Sequence, residues 1–391
     1  MRIGIDVRPL VQPALKGIGV YLANLLPALA AAGGENQFVL LYDKRQDIAL
    51  RLPEGGCFEA RGSSVRKGDR FYFWEQIRLP LEVRGARIDL LHSAANTTCL
   101  FRTGPTVVTI HDTKALELST GRLYGDLYNR TLQPYALRRA DRIICDSEFT
   151  RKCLLERVSV DPETVHVVHL GISDRFRHSP DASASESTLR RLGITEEFIL
   201  FAGGESSPKN ISNLLRAFAV IKERTDNPVS LVVPGIRTAS ILHKHQDEAR
   251  AAGISESTIF PGYVDDDTLV HLYNRAVLLA YPSLWEGFGF PPLEAMACGL
   301  PVAASNATSV PEVVGNAAVL FDGTNPMEMA DAIQRVLVDH NLRMELRQRG
   351  FQRASQFQWS KTAERTLAVY EAAMSSRLAE SQPLRGISAC K

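Results

Sequence analysis

The chain has 391 residues, 45% of them hydrophobic and 23% charged, with a formal net charge of +1 at neutral pH. That balance gives no global electrostatic case for nucleic acid as a partner, and no run approaches the ~18 apolar residues of a membrane span. The length exceeds what a single hydrophobic core ordinarily supports, so two domains are expected; the six scattered cysteines, without CxxC spacing, read as reduced thiols of a cytoplasmic protein.

The opening "MRIGIDV" reads as a buried strand, with no basic region and apolar stretch ahead of it, so no signal peptide is expected. Gly17 and Gly19 follow, ahead of the amphipathic "VYLANLLPALA". A GxG at this point is either a plain tight turn or a loop that admits phosphate. Segment 61–87 is basic with interleaved aromatics, which suits peripheral contact with a membrane surface or a lipid-linked acceptor. Within it Trp74, Ile77 and Leu81 fall at helical core spacing, which favours an ordinary amphipathic helix. Next, "TVVTI" ends on His111-Asp112. There an imidazole can hydrogen-bond a sugar hydroxyl, while Asp112 fixes its tautomer or caps the following segment.

The Ser, Ala, Pro and Asp content of 176–193 marks it as a linker. Beyond it the strand-like runs resume with "EFILFAGG", "VSLVVPG", "STIFPGYV", "VLLAYPS", "PVAAS" and "AAVLFD". Regular alternation of strand and helix patterns in both halves predicts an α/β chain of two Rossmann-like, doubly wound parallel-sheet domains facing a cleft, with ligands beyond the carboxyl ends of the strands. Lys209 and Asn210 in "FAGGESSPKN" follow the first strand of the second half, where a lysine can neutralise a diphosphate. Asp265, Asp266 and Asp267 satisfy a metal-binding DxD superficially, but acids directly before "TLVHLYNRA" serve as helix caps, so no metal is expected.

The most informative stretch is "WEGFGFPPLEAMACGLPVAAS". Pro291 and Pro292 suit the first turn of a helix, Gly299 supplies a left-handed stop and Pro301 blocks resumption. Glu294 therefore falls on a short helix and Glu286 on the loop before it. Gly287-Phe288-Gly289 brings backbone amides to a helix N-terminus, an arrangement that attracts an anion. Carboxylates beside it accept hydrogen bonds from hydroxyls, so a ligand carrying both phosphate and hydroxyls fits. A glycoside hydrolase also uses two carboxylates, but needs neither the lysine nor the anion-binding helix end.

Together these segments, with "ADRIICDSEFT", "VVHLGI", "SVPEVVGNAAVLFD", "GYVDDDTLVHLYNRA" and "FQWSKTAERTLAVYE", resemble the retaining GT-B glycosyltransferases of family 4 over nearly the whole chain. The opening "MRIGIDVRPL" with "GIGVYLANLL", and "LLHSAANTT", look most like the mannosyltransferase B group of bacterial polysaccharide assembly. The resemblance implies an acceptor-side domain at 1–175, the linker, a nucleotide-sugar-binding domain at 194–358, a helix at 359–375 returning to the first domain and a flexible tail at 376–391. It implies GDP-mannose as the first donor to test, a glycan or lipid-linked saccharide as acceptor, and no cofactor or metal. His111, Glu286 and Lys209 are its implied catalytic residues. Donor binding falls to Gly17, Gly19, Gly204, Lys209, Val264, Asp266, Gly287, Phe288, Gly289 and Glu294, with Glu294 on the ribose, Glu286 on the sugar and Asp266 at the base. The chain departs from the family at Gly204 and Pro208, where an arginine usually stands at one or the other position; Arg237 is a substitute cation. A UDP-sugar transferase, a nucleotide-sugar epimerase and an inactive nucleotide-binding relative remain as alternatives.

Overall fold

The computed structural model describes residues 1–11, 17–44, 56–64, 74–101, 103–117, 127–179, 182–225 and 228–381. It forms two compact units, one of Met1–Gly171 with the chain from Gln358 onward, the other of Ile172–Phe357. In the first unit lie β1 (Arg2–Asp6), β2 (Gln37–Asp43), β3 (Phe58–Ser63), β4 (Leu90–Ser93), β5 (Thr106–Ile110), β6 (Arg142–Cys145) and β7 (Val165–Val167). Every neighbouring pair is parallel, in the order β3-β2-β1-β4-β5-β6-β7. The second unit carries β8 (Glu197–Leu200), β9 (Val229–Val232), β10 (Thr258–Ile259), β11 (Leu278–Tyr281), β12 (Val302–Ser305) and β13 (Ala318–Phe321). Its order is β10-β9-β8-β11-β12-β13, again all parallel.

Composition explains the strands. "TVVTI" of β5, "LLAY" of β11 and "VAAS" of β12 are buried at every residue, as central strands covered on both faces require. Each sheet reverses its strand order once, between β1 and β4 in the first unit and between β8 and β11 in the second. Such a switch point opens a crevice at the carboxyl ends of the strands.

Two expectations about the connections are corrected. Residues 176–193 do not form a plain linker: they contain the helix Ala182–Arg191, packed on the helix Asp266–Arg275, with Ser185 Oγ 3.0 Å from His271 Nδ1. The small Ser and Thr residues that suggest a flexible segment instead provide a buried helix face, at Ser185 and Thr188. Nor does a tail begin at 376, because the helix Trp359–Ser381 continues past it. Its last turns are held by Arg142 Nη2 on Ser376 Oγ at 2.5 Å and Arg377 Nε on Asp141 Oδ1 at 2.9 Å. Residues 382–391 lie outside the described residues. The same helix packs on the helix Gly17–Ala32 and on β5 and β6, and its buried Tyr370 places its hydroxyl 2.7 Å from His92 Nδ1 on β4.

Candidate functional site

In the second unit, β8 leads into the short turn Ser207–Lys209 and then Asn210, whose φ is +63°. The Asn210 amide donates to the carbonyls of Pro282 at 3.1 Å and Gly323 at 2.7 Å, stapling this loop to those that follow β11 and β13. Lys209 Nζ is thereby held 2.6 Å from Glu286 Oε1 and 3.3 Å from the Tyr281 hydroxyl. Tyr281, at the very end of β11, donates to the same carboxylate oxygen at 2.6 Å. Burial, reinforced by the Glu286 charge, pushes the Tyr281 hydroxyl well above the usual tyrosine range, so it stays a donor. The main chain of Glu286 is fixed too: its N–H donates to Thr308 Oγ1 at 3.1 Å and its carbonyl accepts from Ser309 Oγ at 3.1 Å.

The helix Phe290–Ala297 starts behind Gly289, whose φ of +108° turns the chain sharply into it, and carries Pro291 and Pro292 in its first turn. It ends at Cys298 and Gly299, the latter at φ +77°. Phe288 is buried, with its ring 5.6 Å from that of Phe290 and 5.9 Å from that of Phe357, so only its backbone is available to a ligand. Glu294, half-buried on this helix, accepts from the Tyr273 hydroxyl at 2.9 Å. Burial pushes its carboxyl up to about 7; the Asp266 charge adds to the rise, while the Tyr273 hydrogen bond and the cations Lys209 and Arg175 oppose it. Asp265 is the cap of the helix Asp266–Arg275, accepting from Thr268 N at 2.8 Å, and Asp266 pairs with Arg175 at 2.5 Å. Val264 lies half-buried in the loop just before that cap.

Gly204 has φ +73° and open space where a side chain would stand. Left-handed backbone, rather than crowding, disfavours an arginine there. Arg237 lies over the Tyr263 ring at 3.9 Å, and its backbone N–H and that of Thr238 donate to the Glu205 carboxylate at 2.8 Å each.

The first unit places its implied residues differently from expectation. Gly17 and Gly19 occupy the first turn of the helix Gly17–Ala32 instead of preceding it, and 12–16 fall outside the described residues. His111 is buried, and its tautomer partner is Asp146 at 2.7 Å, not Asp112. Asp112 instead accepts from Lys114 N at 3.0 Å, closing the turn. The sequence offers no local signal for that pairing, since it crosses from β5 to β6. A second buried cluster was also not legible: Arg8 bridges Asp6 at 2.5 Å and Glu75 at 3.0 Å, with Trp74 stacked on its guanidinium at 4.6 Å. Thr97, Gln76 and Tyr128 complete the shell of Glu75. Of the three residues at core spacing, Trp74 is buried, but Ile77 and Leu81 are 44% and 53% exposed. The core reading therefore holds for one of the three; 65–73 of the same segment lie outside the described residues.

Among the described residues the second unit thus offers a lysine–carboxylate–tyrosine cluster at its switch point, and beside it a carboxyl whose charge is finely balanced. Arg175, Tyr273, Tyr281, Thr308 and Ser309 all belong to this arrangement and none stands out in the sequence.

Residues 15–176 match the family described as Glycosyltransferase Family 4, and residues 186–353 match Glycosyl transferases group 1. The D-inositol 3-phosphate glycosyltransferase of Corynebacterium jeikeium is 30% identical over 94% of this chain and 95% of its own length. The serotype-specific mannosyltransferase WbdA of Escherichia coli is 29% identical over 66% of this chain, which spans about a third (32%) of WbdA. O-antigen chain mannosyltransferase B of Escherichia coli is 29% identical over 60% of this chain and 62% of its own length. Among solved structures, Anabaena HepE in complex with UDP and glucose superposes with a TM-score of 0.74 at 17% identity, covering 95% of this chain and all (100%) of that one. No helix among the described residues is long and apolar enough to cross a membrane.

Proposed function

Because the chain belongs to family 4 of the GT-B glycosyltransferases, we propose that it is a retaining hexosyltransferase that moves mannose from GDP-mannose to a glycan or lipid-linked saccharide in bacterial polysaccharide assembly. The observation that carries this reading is the Lys209–Glu286–Tyr281 cluster at the β8/β11 switch point, with Glu294 on the adjoining helix. Mannose is supported by the mannosyltransferase relatives. A UDP-sugar is the second reading, favoured by the UDP bound to HepE.

In this proposal Glu294 accepts hydrogen bonds from the ribose hydroxyls, and Glu286 from hydroxyls of the sugar. Lys209, with the backbone of 287–289, stabilises the diphosphate, and Val264 and Asp266 lie toward the base. An acceptor hydroxyl attacks the anomeric carbon on the face from which the phosphate departs. One carbon–oxygen bond forms as the other breaks, and the acceptor's proton passes to the leaving phosphate oxygen. Glu286 then holds and orients, a task worth several orders of magnitude in rate without covalent chemistry. No metal ion takes part, since Lys209 supplies the cation. His111, at the end of β5, is assigned to the acceptor side by position alone, since both of its ring nitrogens face protein oxygens.

We further propose peripheral membrane contact through 61–87. Ile77 and Leu81 are exposed beside Arg78 and Arg84, the combination that anionic bilayers bind. Co-sedimentation with anionic vesicles should fall for Ile77→Glu combined with Leu81→Glu, and unchanged binding refutes it.

The donor is tested by thermal shift with GDP, UDP and ADP, since a ligand that binds only the folded state raises its stability by mass action. GDP should give the largest rise, followed by nucleotide release from GDP-mannose when a lipid-linked acceptor is added. A larger rise with UDP replaces the first reading with the second.

A further inference from the structure

Both ring nitrogens of His111 face atoms that accept hydrogen bonds. Nδ1 lies 2.7 Å from Asp146 Oδ2, and Nε2 lies 3.0 Å from the main-chain carbonyl of Ala94. A neutral imidazole carries one N–H and would turn a lone pair toward one of these oxygens. The imidazolium carries two N–H groups and satisfies both. The ring is packed T-shaped with the Tyr21 ring, centroids 4.7 Å apart, and the main chain that carries it is fixed by the His111 backbone N–H, which donates to Asn96 Oδ1 at 2.6 Å. Asp146, for its part, has a second oxygen, Oδ1, that is buried without a hydrogen-bond partner among the described residues. Its ion pair with His111 is therefore what compensates this carboxylate at the end of β6.

The other groups around the ring leave this assignment intact. On β4, His92 spends its nitrogens on Thr109 Oγ1 and the Tyr370 hydroxyl, both at 2.7 Å, and burial, with the His111 charge, pushes it down to about 3, so it is neutral. Burial pushes the Tyr21 hydroxyl up, so it too is uncharged. Asp112, on the same segment as His111, adds a second negative charge, while Lys114 lies two residues beyond it. Burial alone would lower the proton affinity of His111, but the charge and hydrogen bond of Asp146, with the Ala94 carbonyl, outweigh it and the net direction is upward.

We infer that Asp146 is a positioning residue that holds His111 as a doubly protonated imidazolium, an internally compensated ion pair that leaves the end of β5 with no imidazole proton acceptor. This rests on the reading above that His111 lines the transfer site. The acceptor's proton then cannot go to His111, in keeping with its passage to the departing phosphate oxygen.

The test joins a spectroscopic readout to a kinetic one. In protein carrying 15N-labelled histidine, His111 is assigned among the nine histidines by the signals missing from His111→Gln. At pH 7.5 both of its ring nitrogens should show the protonated shift. Asp146→Asn keeps the shape and an acceptor but removes the charge, so the His111 midpoint should fall by at least about one unit, a roughly tenfold loss of proton affinity. The alkaline limb of kcat/KM should move toward acid by the same amount, and Asp146→Glu should restore it in part. A neutral His111 in the wild type, with one pyridine-like nitrogen, overturns the inference whatever the activity. So does an unmoved pH profile in an Asp146→Asn protein whose His111 titration has shifted. Full turnover by His111→Gln would instead remove His111 from the transfer site, and the NMR result still decides the charge state separately.

Discussion

Nucleotide binding should be coupled to release of a proton from Glu294. Its carboxyl is raised from the ordinary 4.5 to about 7, so ionising it in the folded protein costs roughly 3 kcal/mol more than in water, at about 1.4 kcal/mol per unit. Ribose hydroxyls donate best to the charged form, so a bound nucleotide pulls the carboxyl back toward its ordinary range. Below pH 7 the proton must leave before the hydrogen bonds form, and affinity should weaken about tenfold for each pH unit. Above pH 8 it should be flat. The assay is titration calorimetry with GDP at pH 6, 7 and 8, in paired buffers of different ionisation enthalpy that count the protons released. Because a terminal phosphate itself titrates near pH 6, Glu294→Gln serves as the subtraction. That variant should lose the Glu294 part of the proton release and bind about ten- to a hundredfold more weakly at pH 8, as expected for a lost charge-assisted hydrogen bond. The same carboxyl sets a stability trend. A folded value above the unfolded one means that the folded chain binds more protons between about pH 4.5 and 7, so this group's contribution to stability declines as pH rises through that window. Glu294→Gln should abolish that decline in the ligand-free protein. Identical proton release in wild type and Glu294→Gln would refute the reasoning.

The remaining expectations are simpler. Glu286→Ala should collapse kcat while leaving GDP affinity within about threefold, because its partners are Lys209 and Tyr281 at the reacting end; calorimetry beside steady-state kinetics checks the split, and lost GDP binding reverses the assigned roles. Tyr273→Phe removes a hydrogen bond that favours the Glu294 anion, so the midpoint of the pH-dependent GDP affinity should move upward; a downward move contradicts the geometry. Gly299→Ala forces a side chain into φ +77°, at a cost of about 1–2 kcal/mol, visible as a lower Tm in denaturation without loss of GDP binding once folded. EDTA should leave turnover intact, and loss restored by manganese would bring the acids at 265–267 back as metal ligands.

Much of this protein is legible in one dimension because the determining interactions are local. Alternating apolar runs and helical periodicity specify parallel sheets, since only strands covered on both faces need unbroken apolar runs such as "LLAY". Pro291, Pro292 and Gly299 mark the ends of the helix bearing Glu294 through backbone geometry that depends on those residues alone. Asp265 announces itself as a cap for the same reason. What tertiary structure alone decides is which charges meet. Asp146 reaches His111 because β5 and β6 are hydrogen-bonded neighbours, not because anything along the 35-residue separation carries a signal. Helix 182–191 forms where composition suggests a linker, because the helix Asp266–Arg275 offers it a surface to bury against. Exposure of Ile77 and Leu81 is likewise invisible to a spacing rule, which gives a helix face but not what lies opposite it. The charge of Glu294 is the furthest from the sequence: a balance of burial and another carboxylate against one hydroxyl and two cations, drawn from three separate segments. Backbone preferences act between neighbours in the chain, whereas desolvation and Coulomb terms act between neighbours in space.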